Sequence, residues 1–148
     1  MSNTTTTQDA NPLHEKFINY LMLDGKKSIA RRIFEDALAI IGKKTSADAG
    51  KLFKTAVDNV KPTLEVKAKR IGGAVYQVPR EVAQNRQLAL AFRWILAAAR
   101  GKKGAPMAQR LANEIVDASN ETGSAFKKKE DTHRMADANK AFAHFARY

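Results

Sequence analysis

The sequence predicts a mainly α-helical protein: a six-helix bundle with one protruding β-hairpin between helices three and four. Two patterns support this fold class. Through most of the chain apolar residues recur every three or four positions, which is typical of amphipathic helices. Residues 63–78 depart from that period, because apolar and polar residues alternate there on both sides of a Gly-Gly pair, as in a two-stranded hairpin.

The first three helices are predicted from capping residues and apolar stripes. Asn11-Pro12 indicates the first start, since Asn is a good N-cap and Pro is favoured at the first helical position. The second helix is expected to begin at Ser28 and stop at Gly42, and the third to be capped by Ser46 and end before Pro62. The residues expected to face the core are Leu13, Phe17 and Leu21, then Ile29, Ile33, Ala37 and Ile40 or Ile41, then Leu52, Phe53, Ala56, Val57 and Val60.

The hairpin and the last three helices follow from the same signals. The hairpin should turn at Gly72-Gly73, where both residues can adopt positive φ, and end at Pro79. Helix four is expected from about residue 83 to 100, and helix five from about 106 to 120 with Gly123 closing it. Helix six should begin between residues 127 and 131. The inward residues are predicted to be Leu88, Ala91, Phe92, Ile95 and Ala99, then Leu111 and Ile115, then Met135, Ala138, Phe142 and Phe145.

Composition narrows the class of partner. The chain has 26 Lys and Arg against 15 Asp and Glu, a formal net charge of +11, which favours a polyanion or an anionic membrane surface. No apolar run approaches the ~18 residues of a spanning helix, and the N-terminus has no secretory pattern. The absence of cysteine excludes disulfides and thiolate chemistry. We expect an intracellular polyanion-binding domain over residues 11–148, after a disordered tail over residues 1–10.

The hairpin is the first candidate site, because a lone two-stranded hairpin needs a partner or a docking surface. It and its flanks are rich in basic groups, opposed by only two glutamates, and Tyr76 offers a face for base stacking. The alternative is a solvated hairpin whose lysines only protect its edges. The basic residues concerned are Lys61, Lys67, Lys69, Arg70 and Arg80.

Further basic groups lie in clusters elsewhere. Each one taken singly is as well explained as a solvated charge, but together with the net charge they favour contact with nucleic acid. Arg93 lies between Phe92 and Trp94, so it either points outward or pairs with a carboxylate such as Glu81, while Trp94 is expected in the core. The clusters are Lys26 and Lys27, Arg31 and Arg32, Arg86 and Arg93, Lys102 and Lys103, and Lys127, Lys128 and Lys129.

Catalytic constellations are missing from the sequence. No Gly-rich phosphate loop occurs, and Ser28 and Ser124 are expected to be helix caps with no base beside them. Two histidines, His133 and His144, could share a helix face, but two ligands do not make a metal site. We therefore expect no enzyme activity, no metal and no cofactor.

Longer motifs occur along the chain with a characteristic spacing. They are Asn11-x-Leu13 with Phe17-Ile18, Gly25-Lys26-Lys27, Ile33-Phe34 and Ala37; Val60 to Lys67, Lys69 to Gly73 and Tyr76 to Pro79; Ala91 to Trp94; Arg110 to Glu114; and Lys127 to Asp131, His133 to Ala136 and Asn139 to Ala141. In these motifs the chain resembles the bacterial type of the ribosomal protein S-seven family. The resemblance covers about residues 11 to 148 without a large gap, and it is closest in the hairpin.

The resemblance implies a structural protein that binds the 3′ major domain of 16S rRNA and nucleates assembly of the small-subunit head. It also implies a place near the exit-site tRNA and the mRNA exit channel, and contact with ribosomal protein S-eleven and other head proteins. No membrane partner and no homo-oligomer are expected. The residues expected at rRNA are Lys26, Lys27, Arg31, Lys61, Lys67, Lys69, Arg70, Tyr76, Arg86, Arg93, Lys127, Lys128, Lys129 and Arg134. Those expected to face the exit site are Gly72, Gly73, His144 and Arg147.

Two departures from the family pattern bear on affinity. The family usually begins with an arginine-rich arm, whereas residues 2–7 here carry no charge, and paired arginines at the start of helix four are reduced to Arg86. Fewer phosphate contacts should weaken binding and flatten its salt dependence. The expected location is the small ribosomal subunit in the cytoplasm, with an organellar ribosome left open.

A DNA-binding architectural protein is the competing hypothesis, with the hairpin as a minor-groove arm. Such a protein would be expected to dimerise, whereas each predicted helix here has one apolar stripe. Co-sedimentation with small subunits, as against co-purification with chromosomal DNA, distinguishes the two.

Overall fold

A computed structural model describes residues 11–147 and confirms the predicted class, a helical bundle with one hairpin between its third and fourth helices. The predicted N-terminal tail lies outside the described residues. Within residues 11–147, six α-helices are followed by a 3₁₀ helix, which we call the C-terminal segment. The elements are α1 (Pro12–Leu21), α2 (Lys27–Thr45), α3 (Ala49–Val60), β1 (Leu64–Ile71), β2 (Ala74–Glu81), α4 (Gln84–Gly101), α5 (Met107–Ser119), α6 (Gly123–Ala138) and the C-terminal segment (Lys140–Arg147).

Helix capping agrees with the sequence at α1 but not at α3. The Asn11 side chain accepts a 2.9 Å hydrogen bond from the backbone N–H of Leu13, as predicted. Ser46 does not cap α3: it adopts φ +57 just after α2, and Asp48 accepts from the first N–H groups of α3 instead. The prediction that Gly42 stops α2 was also wrong. The helix continues through it to Thr45, since an isolated glycine costs only about 1 kcal/mol in a helix.

The core is organised around four phenylalanines from four helices. The ring of Phe17 lies 5.2 Å from that of Phe34, 5.0 Å from that of Phe53 and 5.1 Å from that of Phe92, centroid to centroid, and all four are fully buried or nearly so. These distances fit the edge-to-face and tilted contacts that aromatic pairs prefer. One aromatic cluster therefore joins α1, α2, α3 and α4.

The buried face of α2 is rotated from the predicted one. The predicted stripe included Ile29, but Ile29 is 49% exposed, and the buried residues are Ala30, Phe34, Ala37 and Ile41. The helix places its largest apolar side chain, Phe34, in the aromatic cluster. The packing of Phe34 determines which face of α2 is buried, and it leaves Ile29 exposed to solvent.

The hairpin has the predicted turn and a longer second strand. Gly72 and Gly73 adopt φ +58 and +88 between antiparallel strands paired from Leu64↔Glu81 to Ile71↔Ala74. Pro79 does not end the hairpin, because it pairs opposite Val66 inside β2. A proline is tolerated there since, in a two-stranded sheet, each strand is an edge.

The connection from α5 to α6 differs from the prediction, and its geometry requires a glycine at position 123. Gly123 does not merely close helix five; it is the first residue of α6, with φ +91. A Cβ there would lie 2.8 Å from the Cβ of Asp117 and 2.9 Å from Oε2 of Glu114. Glu114 is fully buried, accepts a 3.1 Å hydrogen bond from the N–H of Ala125 and lies 3.1 Å from Nζ of Lys102. Its carboxylate thus ties α5 to the start of α6 and to the basic loop after α4.

The last helix also ends earlier than expected. α6 stops at Ala138, and the predicted inward residues Met135 and Ala138 are exposed. Phe142 and Phe145 belong to the C-terminal segment and are partly buried. Ala136 is the buried residue in this turn, so the packed face of α6 is rotated from the predicted one, and the chain then changes helix type near Asn139.

Two glycine substitutions should have opposite effects on stability. Gly123→Ala should lower the free energy of unfolding by about 1–3 kcal/mol, because it combines positive φ with a clash against Glu114. Gly42→Ala is the matched control: a Cβ at this position would have nothing within 4 Å, so the change should stabilise α2 by about 0.5–1 kcal/mol. Urea unfolding measures both. Equal effects of the two changes would contradict the account of the α5–α6 connection.

Candidate nucleic-acid interface

A buried carboxylate fixes the base of the hairpin to α4. Glu65 is 9% exposed; it accepts hydrogen bonds from Nε of Arg80 at 3.1 Å and from Nε and Nη2 of Arg86 at 2.9 and 3.1 Å. The hydrogen bond from Arg86 holds the pKa of Glu65 below its usual value, against the opposing effect of burial. The same pairing raises the pKa of Arg86. The hairpin is therefore braced where it leaves the bundle.

A histidine on α6 anchors the first residue before the hairpin. Nε2 of His133 accepts a 3.0 Å hydrogen bond from the backbone N–H of Thr63. Burial lowers the pKa of His133, and the nearby ammonium of Lys129 acts in the same direction. The neutral imidazole is thus the form that holds the hairpin against α6.

The C-terminal segment packs against β2 and covers Tyr76. The Tyr76 ring lies 5.1 Å from that of Phe142 and 5.0 Å from that of Phe145, and Nζ of Lys69 donates a 2.9 Å hydrogen bond to the carbonyl of Phe145. The sequence suggested Tyr76 as an open stacking face for a base. In this arrangement two phenylalanines occupy its surroundings instead.

Several of the predicted contact residues are engaged within the protein. Lys27 and Arg31 both reach Glu15, at 3.5 and 2.7 Å, and the hydrogen bond from Arg31 holds the pKa of Glu15 below its usual value. Contact with a phosphate would have to compete with these pairs. The other engaged residues are Lys61 with Asp58, Arg134 with Asp131, and Lys129 over the ring of Phe126.

Another set of predicted residues is exposed and has no carboxylate partner within residues 11–147. Arg93 is one of them: it points outward from α4, so the suggested pair with Glu81 does not form, while Trp94 packs partly buried against the core. Exposed cations without internal partners keep their full capacity for phosphate. They are Lys26, Lys67, Arg70, Arg93, Lys127 and Lys128.

The residues predicted to face the exit site lie at two places. Gly72 and Gly73 form the exposed tip of the hairpin, and His144 is exposed on the C-terminal segment. Arg147 is the last residue of that segment, and its side chain lies outside the described part of the structure.

A groove between α1 and α4 was not predicted from the sequence. It encloses about 420 Å³, and its polar lining comes from Lys16, Asn19, Tyr20, Asn85 and Arg86. Residues 16, 19 and 20 share one helical face, which is a signal in the sequence, but a polar helical face alone does not distinguish a groove from solvated surface. Arg80, predicted as one of the basic residues at the hairpin, lies within β2 and donates a hydrogen bond to Glu65.

Neither a membrane span nor a metal cluster is found in the described part of the chain. Over residues 11–147, no helix combines the length and apolar character needed to cross a bilayer. The same residues hold no group of three or more histidine, aspartate or glutamate side chains placed to share a metal ion.

Comparison with known proteins identifies the family. The family model described as Ribosomal protein S7p/S5e matches residues 2–140. The protein named small ribosomal subunit protein uS7 in Natranaerobius thermophilus is 58% identical over 130 residues, which cover 88% of this chain and 83% of that protein. The chain belongs to the ribosomal protein S7p/S5e family. Proteins of the same name from Thermotoga maritima and Rhodopirellula baltica are 58% and 57% identical, over 88% and 90% of this chain and 84% and 87% of theirs.

Membership in the S7p/S5e family confirms the resemblance found in the sequence. The protein is a structural constituent of the small ribosomal subunit, and that subunit is its location. The family is structural rather than enzymatic. A ribosomal family favours RNA over DNA as the polyanion, so the DNA-binding alternative loses its support.

Acidification should weaken the anchor between α6 and the hairpin. The pKa of His133 in the folded protein lies below the ordinary value of 6.5, so the unfolded chain takes up the proton first. The contribution of the neutral His133 side chain to the free energy of unfolding is therefore complete above about pH 6.5, and it is lost as the pH falls below that value. Burial lowers the pKa of His14 as well, so that residue acts in the same direction.

Urea unfolding between about pH 7.5 and pH 5.5 tests this expectation. His133→Gln keeps a neutral acceptor for the N–H of Thr63 and should reduce the loss of stability on acidification. His144→Gln, on the exposed C-terminal segment, is the control and should leave that loss unchanged. A wild-type pH dependence in His133→Gln would show that the imidazole is not the titrating anchor.

Proposed function

We propose that this protein binds the 3′ major domain of 16S rRNA directly and nucleates assembly of the small-subunit head. The observation that supports this most is the distribution of exposed cations. Lys67 and Arg70 on the hairpin, and Lys127 and Lys128 on α6, have no carboxylate partner within residues 11–147, and the hairpin is braced to the bundle by Glu65 and His133. Rigid placement of cations lowers the entropic cost of contacting a fixed array of phosphates.

The remaining candidate residues fit graded roles in that interface. Lys26 and Arg93 are exposed and suit direct phosphate contact. Lys27, Arg31, Lys61, Arg86 and Arg134 already pair with carboxylates, so exchanging a carboxylate for a phosphate gains less. We expect the first group to dominate the affinity and the second to contribute to orientation.

Filter binding to a fragment of the 3′ major domain tests the proposal. We expect binding that survives an excess of bulk tRNA at moderate salt, with an affinity that falls as salt rises because phosphate contacts release counterions. Binding that the tRNA removes completely would reduce the interaction to a non-specific attraction between the +11 chain and any polyanion, and would overturn the proposal.

We also propose that the hairpin tip and the C-terminal segment face the exit-site tRNA and the mRNA exit channel, beside ribosomal protein S-eleven. The chain has no cysteine, so one introduced cysteine gives a unique attachment point for a radical-generating iron chelate. The chelate attached at Val75→Cys, beside the hairpin tip and 58% exposed, or at His144→Cys should cleave exit-site tRNA in reconstituted subunits. Ser46→Cys, in the α2–α3 loop, is the control. Equal tRNA cleavage from all three positions would contradict the placement.

A further inference from the structure

A cavity of about 280 Å³ lies between the hairpin and the C-terminal segment. It is lined by Lys67, Lys69, Val78, Arg80 and Ala146. The first four share one face of the hairpin, because Lys67 pairs with Val78 across the strands and side chains two positions apart point to the same side. Ala146 supplies a wall from the C-terminal segment. Among residues 11–147, the lining thus contains three cations and no carboxylate.

Two of the three cations are held in place and still have donors to offer. Nζ of Lys69 uses one of its three donors on the carbonyl of Phe145. Arg80 directs Nε and Nη2 toward Glu65, both at 3.1 Å, which leaves Nη1 unused in those contacts. Lys67 is exposed and has no carboxylate partner within residues 11–147. The cavity therefore offers several N–H donors at fixed positions, unlike an isolated surface lysine.

Docking of the C-terminal segment determines whether this arrangement exists. Phe142 and Phe145 pack around Tyr76, which is the cross-strand neighbour of Lys69. If the segment left the hairpin, the cavity would lose both its Ala146 wall and the carbonyl that positions Lys69. The aromatic contact and the cation pocket are therefore parts of one structure.

We propose that this cavity binds a single phosphate group of bound RNA. This phosphate-binding site is complete only while the C-terminal segment is docked on the hairpin. This rests on the RNA-binding function proposed above and goes beyond it by assigning a composite site. Arg80 becomes a contact residue, and Phe142, Phe145 and Ala146 become positioning residues. Tyr76 acts through the segment that it holds and not by stacking on a base.

RNA binding by the full chain tests the coupling. Lys67→Gln with Arg80→Gln should weaken binding to the rRNA fragment about tenfold, and the slope of log affinity against log salt should become shallower by roughly 0.7–0.9 for the one phosphate lost. Phe142→Ala with Phe145→Ala should give a similar loss although it removes no charge. Combining all four changes should cost little more than either pair, since both pairs disable one site.

Two further variants distinguish a specific phosphate-binding site from a general effect of net charge and from damage to the fold. Lys127→Gln with Lys128→Gln removes two charges elsewhere, and its loss should add to that of the phenylalanine pair. Ala146→Leu places a bulkier apolar side chain at the wall of the cavity and leaves Tyr76, Phe142 and Phe145 unchanged, so it should reproduce most of the loss of the lysine–arginine pair. The proposal would be overturned if the losses from the lysine–arginine pair (Lys67 and Arg80) and from the phenylalanine pair were additive. Normal RNA binding by the Ala146→Leu variant would also overturn it.

Titration of the full chain with inorganic phosphate, monitored through the amide NMR signals, tests whether the cavity binds phosphate without RNA. Saturable shifts at residues 67, 69 and 80 are expected in the wild type and should vanish in Ala146→Leu. Equal chemical-shift changes at all exposed lysines would show that phosphate only screens the surface charge, and would overturn the proposed phosphate-binding site. If the chain fails the rRNA competition experiment, the proposed function falls, and this titration still decides whether the cavity binds phosphate.

Discussion

Replacing Phe17 with alanine should lower the free energy of unfolding by about 3–5 kcal/mol, the range for a large-to-small change at a fully buried aromatic. The side chain has no exposed surface and contacts the rings of Phe34, Phe53 and Phe92 at about 5 Å between centroids. Its removal leaves a cavity where four helices meet. The surrounding rings cannot close this cavity without tilting away from their present partners.

Leu23→Ala is the control for this experiment, because Leu23 is 63% exposed in the loop after α1 and its truncation should change stability by about 0.5 kcal/mol or less. Guanidinium unfolding followed by circular dichroism measures both variants. A loss below about 1 kcal/mol for Phe17→Ala would mean that the aromatic cluster relaxes around the gap and does not hold the bundle together.

The sequence predicted those features of the fold whose signals are local. The hairpin was found because Gly72-Gly73 needs positive φ and because the flanking period is two, and the structure has both. The buried face of α2 was not found, because Ile29 and Phe34 are both apolar and only packing against α1 and α3 selects Phe34. The role of Gly123 was missed for a similar reason. Its constraint is the side chain of Glu114, which lies nine residues earlier in the chain.

Candidate contact residues could be named from the sequence, but their availability could not. Charge patterning identified Lys67 and Arg86 alike, yet Lys67 is exposed without an ion pair among the described residues whereas Arg86 is bound to Glu65. Glu65 and Arg86 lie 21 residues apart, and only the fold brings them together. Tyr76 shows the same limit, because nothing near it in sequence indicates that Phe142 and Phe145 would cover it.

Removing the three basic groups near the hairpin tip should have the largest effect on RNA binding. Replacement of Lys67, Lys69 and Arg70 by alanine should lower the affinity for the rRNA fragment roughly hundredfold, at about 1 kcal/mol for each lost contact. The slope of log affinity against log salt should become shallower by about two to three, since each phosphate contact contributes roughly 0.7–0.9. The helical fold should persist, because these side chains lie outside the core.

A charge-matched variant decides whether position or charge alone is responsible. Alanine at Lys43, Lys44 and Lys51, which are exposed on α2 and α3 and have no carboxylate partner within residues 11–147, also lowers the formal net charge by three, from +11 to +8. If the protein reads a fixed array of phosphates, this variant should lose much less affinity than the hairpin variant at the same salt, because a distant charge adds only a screened, long-range attraction. Equal losses would mean that the RNA responds to the summed field of the protein and that the hairpin has no privileged contact.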